Sequence, residues 1–344
     1  MALIECIPNF SEGQDQAVIE AIAESIGAVE GVKLLHVDPG HSANRTVMTF
    51  AGEVEPVVEA AFQAVKTASR LIDMRKQKGT HPRMGAVDVC PLVPISGITT
   101  QELLPYAEAL GKRISTTLGI PIYLYEESAR DVERKNLAVI RSGEYEGFRD
   151  KIKLPGWEPD FGPAQFNAKS GQTVLGVRKF LVAYNINLKT KSVKKANAIA
   201  FDIREIGRVK KVKGEIQRDE DGKALRIPGM CKSLKAIGWF IEEYKQAQVS
   251  TNLTDLSQCS IHEAFEAAKR SAEKREIKIT GSELIGLIPK KALLDAGKFY
   301  AEKVGKNILE ERELLLYAVK QLGLDDLGPF NIDERVLEYV WEKT

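Results

Sequence analysis

The sequence contains no long apolar run and few cysteines. None of its apolar stretches approaches the roughly 20 residues of a membrane-spanning helix, and no basic-then-apolar leader opens the chain. Its cysteines lie far apart and form no C-x-x-C pair: Cys6, Cys90, Cys231 and Cys259. This spacing argues against a zinc site or a disulfide framework and fits a reducing compartment. We therefore expect a cytoplasmic protein without a metal cofactor.

An excess of charge of one sign is also missing. The chain has 49 Lys and Arg against 48 Asp and Glu, a net charge of +1, so it creates no overall field for nucleic acid or an anionic membrane. A P-loop, a Gly-x-Gly-x-x-Gly turn, a Gly-x-Ser-x-Gly elbow and a His-Glu-x-x-His helix are absent. These absences remove the commonest nucleotide-binding, serine-hydrolase and zinc-protease interpretations.

The apolar pattern of the first half predicts alternating strands and helices. Runs rich in β-branched residues at 3–8, 32–37, 45–50 and 86–93 predict strands, and helical periods at 14–28 and 56–71 predict helices. A further helix at 100–118 and a strand at 122–125 extend this half. The resulting order, β-α-β-β-α-β, is the split βαβ of ferredoxin-like folds.

The second half repeats that order without obvious sequence identity. Strands are predicted at 180–188, 236–241, 248–253 and 282–289, with helices at 192–206 and 260–274. From residue 290 the pattern is helical, and Asn331 with Glu334 resembles a capping box for the last helix. The sequence thus predicts an α+β protein of two related units, which side by side leave a groove for a ligand.

One polar loop stands out, at the start of the stretch KQKGTHPRMGAVDVCPLVP (76–94). His81 lies at its tip between Gly79 and Gly85, and the following Pro82 favours extended geometry for the histidine. Such a side chain can point at a ligand from the mouth of a strand. Composition alone favours an ordinary polar loop residue instead.

Asp38 ends a predicted strand and could approach His81, because strands of one sheet bring their ends together. A carboxylate on one imidazole nitrogen fixes the tautomer and makes the other nitrogen a better base. The sequence Asp-Pro-Gly equally predicts that Asp38 only forms an Asx turn. The residues leave both interpretations open. His36 is expected to be a packed strand residue, and His262 to be exposed.

Two other segments could bind a ligand. Residues 151–173 are rich in Gly, Pro and aromatics, which favours a binding loop over a plain linker. Residues 208–235 carry nine Lys or Arg against four acidic residues, typical of a solvated basic loop or of a local anion attractor. Glycines at the end of that segment would allow close approach of a flat ligand.

Motifs along nearly the whole chain resemble those of the glutamate formimidoyltransferase family, the transferase domain of the bifunctional formimidoyltransferase-cyclodeaminase. They are PNFSEG (8–13), HVDPGHSANRTVMTFAG (36–52), ASRLIDM (68–74), GTHPRMGAVDVCPLVP (79–94), PDFGP (159–163), RKFLVAYNINL (178–188) and GLIPKKALLDA (286–296). The resemblance implies two ferredoxin-like subdomains, 1–178 and 179–300, with a folate tunnel between them and a helical extension at 301–344. By this resemblance, residues 208–226 look longer than the mammalian counterpart, and no cyclodeaminase domain is expected to follow.

The resemblance also implies a set of site residues. His81 is similar to the catalytic histidine of the family, and Asp38 to the acidic residue beside it. One folate-binding segment would comprise Gly162, Pro163, Ala164, Gln165, Phe166, Asn167, Ala168, Lys169, Ser170 and Gly171. The other would comprise Gly229, Met230, Cys231, Lys232, Ser233, Leu234, Lys235, Ala236, Ile237 and Gly238.

The implied reaction moves a formimino group from N-formimino-L-glutamate to N5 of tetrahydrofolate, the co-substrate, and releases glutamate in histidine breakdown. Because both substrates carry glutamate carboxylates, Arg45, Arg83 and the basic insert are expected anchors. The resemblance implies a homodimer as well. Two alternatives stay open: a formyltransferase that uses N-formyl-L-glutamate, and a folate-binding protein without catalysis.

Overall fold

The structure, a computed structural model, describes residues 2–343 and divides them into two compact units. One unit ends at Lys179, and the other spans Phe180–Lys343. Residues 1 and 344, which begin and end the predicted subdomains, lie outside this description. Within residues 2–343, no helix is both long and apolar enough to span a bilayer.

The first unit alternates strands and helices as predicted. Its elements are β1 (Leu3–Cys6), β2 (Asn9–Phe10), α1 (Gln16–Gly27), β3 (Val32–Gly40), β4 (Arg45–Glu53), α2 (Val54–Leu71), β5 (Val87–Ser96), α3 (Thr100–Leu118), β6 (Ile122–Leu124), α4 (Leu137–Ile140), α5 (Glu144–Lys151) and β7 (Thr173–Val177). Two 3₁₀ turns, Glu126–Ser128 and Val132–Lys135, lie between β6 and α4.

The sheet of this unit has a mixed order. β4 lies between β3 and the interrupted strand β1–β2, and β5 lies on the other side of β1–β2; all of these pairs are antiparallel. Pro8 separates β1 from β2, because a proline has no amide hydrogen to donate to a neighbouring strand. This observed order is the predicted β-α-β-β-α-β, so the α+β class is confirmed.

Strand β7 was not among the predicted strands, and it belongs to the sheet of the first unit. It pairs in parallel with β5, at Val89 with Val174, and with β6, at Ile122 with Thr173. All five of its residues are buried. The sequence pattern does not reveal this short strand for two reasons. It follows a Gly- and Pro-rich segment, and its residues do not alternate because both of its faces are covered.

The helices cover one face of the sheet because their apolar residues recur on one side. In α2 the buried residues include Val57, Ala61, Val65 and Ala68, which are spaced three or four apart. They pack with β-strand residues such as Phe50 and Leu92, which are fully buried. The opposite face of the sheet is therefore available to polar groups and to the short helices α4 and α5.

The second unit begins with β8. Its elements are β8 (Val182–Leu188), α6 (Val193–Ile203), β9 (Arg208–Val209), β10 (Lys211–Val212), β11 (Glu215–Ile216), β12 (Arg226–Ile227), β13 (Leu234–Ile241), β14 (Gln246–Leu253), α7 (Ile261–Glu273), β15 (Ile279–Ile285), α8 (Lys290–Lys303), α9 (Glu311–Leu322), α10 (Ile332–Arg335) and α11 (Leu337–Lys343).

Its main sheet is antiparallel throughout, in the order β13-β14-β8-β15. The basic insert is not a plain loop: β9 pairs with β12 and β10 with β11, which makes a small exposed ribbon. These two-residue strands are too short to give an alternating pattern, and the sequence therefore predicted only a loop.

The C-terminal helices belong to the core of the second unit. Leu293 of α8, Leu315 and Leu322 of α9 and Val336 are fully buried and share one apolar cluster with Tyr184 of β8. Asn331 caps α10, because its side chain accepts a hydrogen bond from the amide of residue 333. The predicted helical start is confirmed, although α10 is only one turn long.

Candidate active site

His81 lies in the loop before β5, and the turn between β3 and β4 holds that loop in place. Asn44, buried with a φ of +48°, donates from Nδ2 to the carbonyl of Lys78 at 2.7 Å. In return, Nε2 of Gln77 donates to the carbonyl of Asn44 at 2.9 Å. Two side-chain amides thus fix the loop against the end of the sheet.

Arg83 anchors the other end of the loop. Its guanidinium donates to Glu146 at 2.6 Å, to Glu144 at 3.2 Å and to Oε1 of Gln77 at 2.8 Å, and the residue is 8% exposed. The protein's own carboxylates therefore occupy its donors. This corrects the expectation that Arg83 anchors a substrate carboxylate.

The contacts of His81 define its tautomer. Nδ1 lies 2.7 Å from the carbonyl oxygen of Pro82, which can only accept a hydrogen bond, so Nδ1 carries the proton. Nε2 then has a free electron pair in the neutral ring, and the guanidinium of Arg45 donates to it. The imidazole is held as a neutral base with Nε2 as its basic atom.

Charges near His81 favour that neutral form. Burial lowers its pKa well below the usual value, and the guanidiniums of Arg45 and Arg141 lower it further. Arg141 follows α4 and donates to Oδ2 of Asp88 on β5 at 2.5 Å. Asp88 is fully buried, and its other oxygen accepts from the amide of Met84 at 3.0 Å.

Asp38 lies on β3, paired with Val47 of β4. Its carboxylate acts on Arg45. Burial lowers the pKa of Arg45 to about 10, and the carboxylates of Asp88 and Asp38 oppose that shift. The topology thus brings Asp38, Arg45, Asp88 and His81 to one polar region of the first unit, which also includes Arg141. A direct role of Asp38 beside His81 stays a prediction.

The first predicted folate-binding segment, 162–171, is tied to the His81 loop at its C-terminal end. Gly85 pairs with Gly171, and the amide of Ala86 donates to the carbonyl of Ser170 at 2.8 Å. Next along the chain, Oγ1 of Thr173 donates to the carbonyl of Val87, 86 residues away. Residues 162–165 are exposed, so the segment has a fixed end and a free surface.

The second predicted segment, 229–238, lies in the second unit and leads into β13. The space that a side chain at Gly238 would need is filled by α6, with the amide nitrogen of Asn197 2.3 Å from the Cβ position. Gly229 meets the carbonyl of Arg204 in the same way, at 2.0 Å. Both glycines are therefore required by packing, and their role in the approach of a flat ligand stays a prediction.

The other histidines differ in setting. His36 lies on β3, as predicted, and His41 is exposed in the β3–β4 turn. His262 was expected to be exposed, but it is half-buried and stacks on Phe299 with ring centroids 4.6 Å apart. In the part of the chain that the structure describes, no group of three or more His, Cys, Asp or Glu side chains could hold a metal ion.

The sequence pattern did not indicate two residues of the site, Asp88 and Arg141. Asp88 interrupts the apolar run AVDVCPLVP, and a carboxylate in a buried strand is a signal that could have been used. Arg141 lies in a stretch without motif or periodicity, so only the fold reveals its position.

Comparisons with known proteins match both units to the same family. The family model described as the formiminotransferase domain, N-terminal subdomain, matches residues 3–178, and the model of the formiminotransferase domain matches residues 183–342. A glutamate formimidoyltransferase of Streptococcus pyogenes serotype M1 is 43% identical over 87% of this chain and 93% of its own length. Another, from Thermoplasma acidophilum, is 37% identical over 91% and 97%. The formimidoyltransferase-cyclodeaminase of Rattus norvegicus is 47% identical over 98% of this chain, which spans 60% of that longer protein.

Proposed function

The chain belongs to the formiminotransferase family, and we propose that it transfers the formimino group of N-formimino-L-glutamate to N5 of tetrahydrofolate, releasing L-glutamate. The proposal takes this activity from relatives named glutamate formimidoyltransferase, one of which matches over 93% of its own length. It makes the chain an enzyme of one-carbon and histidine metabolism, with tetrahydrofolate as its co-substrate.

The observation that supports a mechanism is the tautomer of His81. With Nδ1–H donated to Pro82, the ring presents Nε2 as a base of fixed orientation. A proton must leave N5 of tetrahydrofolate as that nitrogen attacks the amidine carbon, and an imidazole suits this transfer near neutral pH. His81 is the residue we propose as general base and acid.

The steps balance without a further acid. N5 forms a bond to the amidine carbon and loses its proton to Nε2 of His81, which gives a tetrahedral intermediate. The imidazolium then donates that proton to the glutamate nitrogen as the bond from carbon to this nitrogen breaks. General acid–base transfer of this kind contributes roughly a hundredfold to ten-thousandfold.

We further propose that each unit is a ferredoxin-like βαββαβ fold and that residues 162–171 and 229–238 bind the folate. The antiparallel strand orders β5-β1-β4-β3 and β15-β8-β14-β13 support the fold assignment. Exposed residues in both segments, including 162–165 and Lys232, support a binding role. The homodimer, the cytoplasmic location and the subdomain boundaries 1–178, 179–300 and 301–344 stay predictions.

The direct test is a transfer assay of the purified chain with tetrahydrofolate and two donors, N-formimino-L-glutamate and N-formyl-L-glutamate. The proposal expects faster transfer from the formimino donor. Preference for the formyl donor would replace the proposed substrate, and tight tetrahydrofolate binding without turnover of either donor would reduce the protein to a folate-binding one.

His81→Ala tests the role of the base. We expect turnover to fall by at least about a hundredfold, because the general base is lost, while calorimetry finds tetrahydrofolate affinity unchanged. His41→Ala, at an exposed position of the neighbouring turn, is the matched control and should keep parental turnover. Near-normal transfer by His81→Ala would remove His81 from the mechanism.

A further inference from the structure

Arg45 contacts the neutral ring of His81, the charge of Arg141 acts on the same ring, and each guanidinium has an unused donor. The Nε atoms of Arg45 and Arg141 are buried and make no hydrogen bond within residues 2–343. Arg45 contacts Nε2 of His81, whereas Arg141 is 16% exposed at its side chain and contacts Asp88. Buried donors without an acceptor are costly to leave unpaired, so a further acceptor here would be stabilising.

Two guanidiniums and two carboxylates meet in this region, so its formal charges balance, but the two guanidiniums still repel each other. Arg45 comes from β4, Arg141 from the end of α4, Asp88 from β5 and Asp38 from β3. The buried carboxylate of Asp88 already binds Arg141 at 2.5 Å, and the charge of Arg141 disfavours that of Arg45. An added anion would relieve that repulsion.

The contact between Arg45 and His81 has a chemical consequence. As long as the guanidinium donates to Nε2, the electron pair that must accept a proton is already in use. The ring can act as a base only after Arg45 turns to another acceptor. A carboxylate is the acceptor that a guanidinium prefers, since the pair forms two charge-assisted hydrogen bonds.

We propose that Arg45 and Arg141 form a carboxylate-binding subsite beside His81, and that an arriving carboxylate draws Arg45 away from Nε2 and so frees the base. The ligand is a carboxylate of the glutamate donor or of product glutamate, which rests on the proposed function. The device prevents the base from being available before its substrate is present. Once the carboxylate neutralises the guanidinium, His81 also becomes more basic, because one of the nearby positive charges is offset.

The test uses L-glutamate as the probe and the full chain labelled with ¹⁵N-histidine, which has four histidines to assign. Saturating L-glutamate should raise the pKa of His81 and shift its Nε2 resonance. Arg141→Lys keeps a positive charge beside Asp88 but loses the paired donors of the guanidinium. It should therefore weaken L-glutamate binding by roughly tenfold or more. A thermal melt checks that this variant is folded.

Arg134→Lys is the matched control. Arg134 is similarly buried, with 11% of its side chain exposed, binds the buried Asp160 at 3.1 Å and also has an unpaired Nε. It should leave L-glutamate affinity and the titration of His81 as in the parent. The subsite is overturned if the parent and the folded Arg141→Lys variant bind L-glutamate equally well. It is also overturned if L-glutamate does not change the pKa of His81. Because this measurement needs no turnover, it separates failure of the subsite from failure of the proposed transfer reaction.

Discussion

Glu5 is a buried carboxyl group that the proposed mechanism does not use. It lies on β1 with 1% of its surface exposed, and its Oε1 has no hydrogen-bond partner within residues 2–343. Burial raises its pKa to about 7, although the charge of Arg178 works in the opposite direction. A neutral Glu5 is therefore the form that folding favours.

Glu5→Gln should remove a pH dependence of stability. The pKa of Glu5 rises from 4.5 to about 7 on folding. The stabilisation of the folded state by neutral Glu5 is therefore complete below pH 4.5 and is lost as the pH rises through 7. Above pH 7 the variant should be more stable than the parent by at most roughly 3 kcal/mol. Melting curves between pH 5 and 8 measure this difference, and an equal pH slope in both proteins would contradict it. Glu24→Gln, on an exposed side of α1, controls for the loss of one negative charge.

Single residues differ in how far the sequence could predict them. The position of His81 at the tip of a loop follows from Gly79, Gly85 and Pro82, because these residues restrict or release the backbone in known ways. Its tautomer depends on which carbonyl lies beside Nδ1, and that is a matter of tertiary structure. The position of Arg141 depends on the path of a whole irregular segment, for which local pattern has no information.

At the level of elements, the contact between Gly85 and Gly171 joins the loop of His81 to the predicted folate-binding segment. Gly171 has a φ of +65°, and a Cβ there would lie 2.2 Å from the carbonyl oxygen of Met84. The backbones meet because neither residue has a side chain. The entry to β5 and the entry to β7 are thus one local structure.

Gly171→Ala should destabilise the protein by at least about 2 kcal/mol, because the left-handed conformation and the short contact both act against a side chain. Gly147→Ala in α5 is the matched control: nothing lies within 4 Å of its Cβ position, so alanine should stabilise the helix by about 0.5–1 kcal/mol. Denaturant unfolding of the two variants measures both effects. Parental stability of Gly171→Ala would mean that the two segments separate easily.

Elements with a strong apolar period were the predictable part of the fold. The α2 helix and the hairpin of β3 and β4 follow from spacing alone, since a buried stripe or an alternating face leaves a direct mark on the sequence. Strand β7 and the ribbon of β9 to β12 leave no such mark. The first is covered on both faces, and the second is too short and too exposed to alternate.

At the scale of the whole molecule, the last forty or so residues complete the second unit. The sequence predicted helices there but assigned them to an extension, because periodicity identifies an apolar face without naming what it covers. The structure shows α8 and α9 packed together, with their buried residues in the cluster that includes β8. Helices that close a core in this way should contribute to global stability.

Leu315→Ala measures that contribution. Leu315 is fully buried, and its truncation should cost about 2–5 kcal/mol through lost contacts and the cavity left behind. The next residue, Leu316, is 50% exposed and offers a matched control in which the same truncation should have little effect. Urea unfolding followed by circular dichroism compares the two, and equal losses would place α9 outside the core.

The link between β5 and β7 also sets an order of events during synthesis. A ribosome finishes β1 to β5 and the helices between them long before it reaches β7, and Thr173 bonds to Val87 across 86 residues. Until then the entry to β5 lacks its partners at Ser170 and Gly171. Contacts between distant parts of a chain form slowly because a long loop must close first. We therefore expect the loop of His81, the proposed base, to be among the last features of its unit to reach its final geometry.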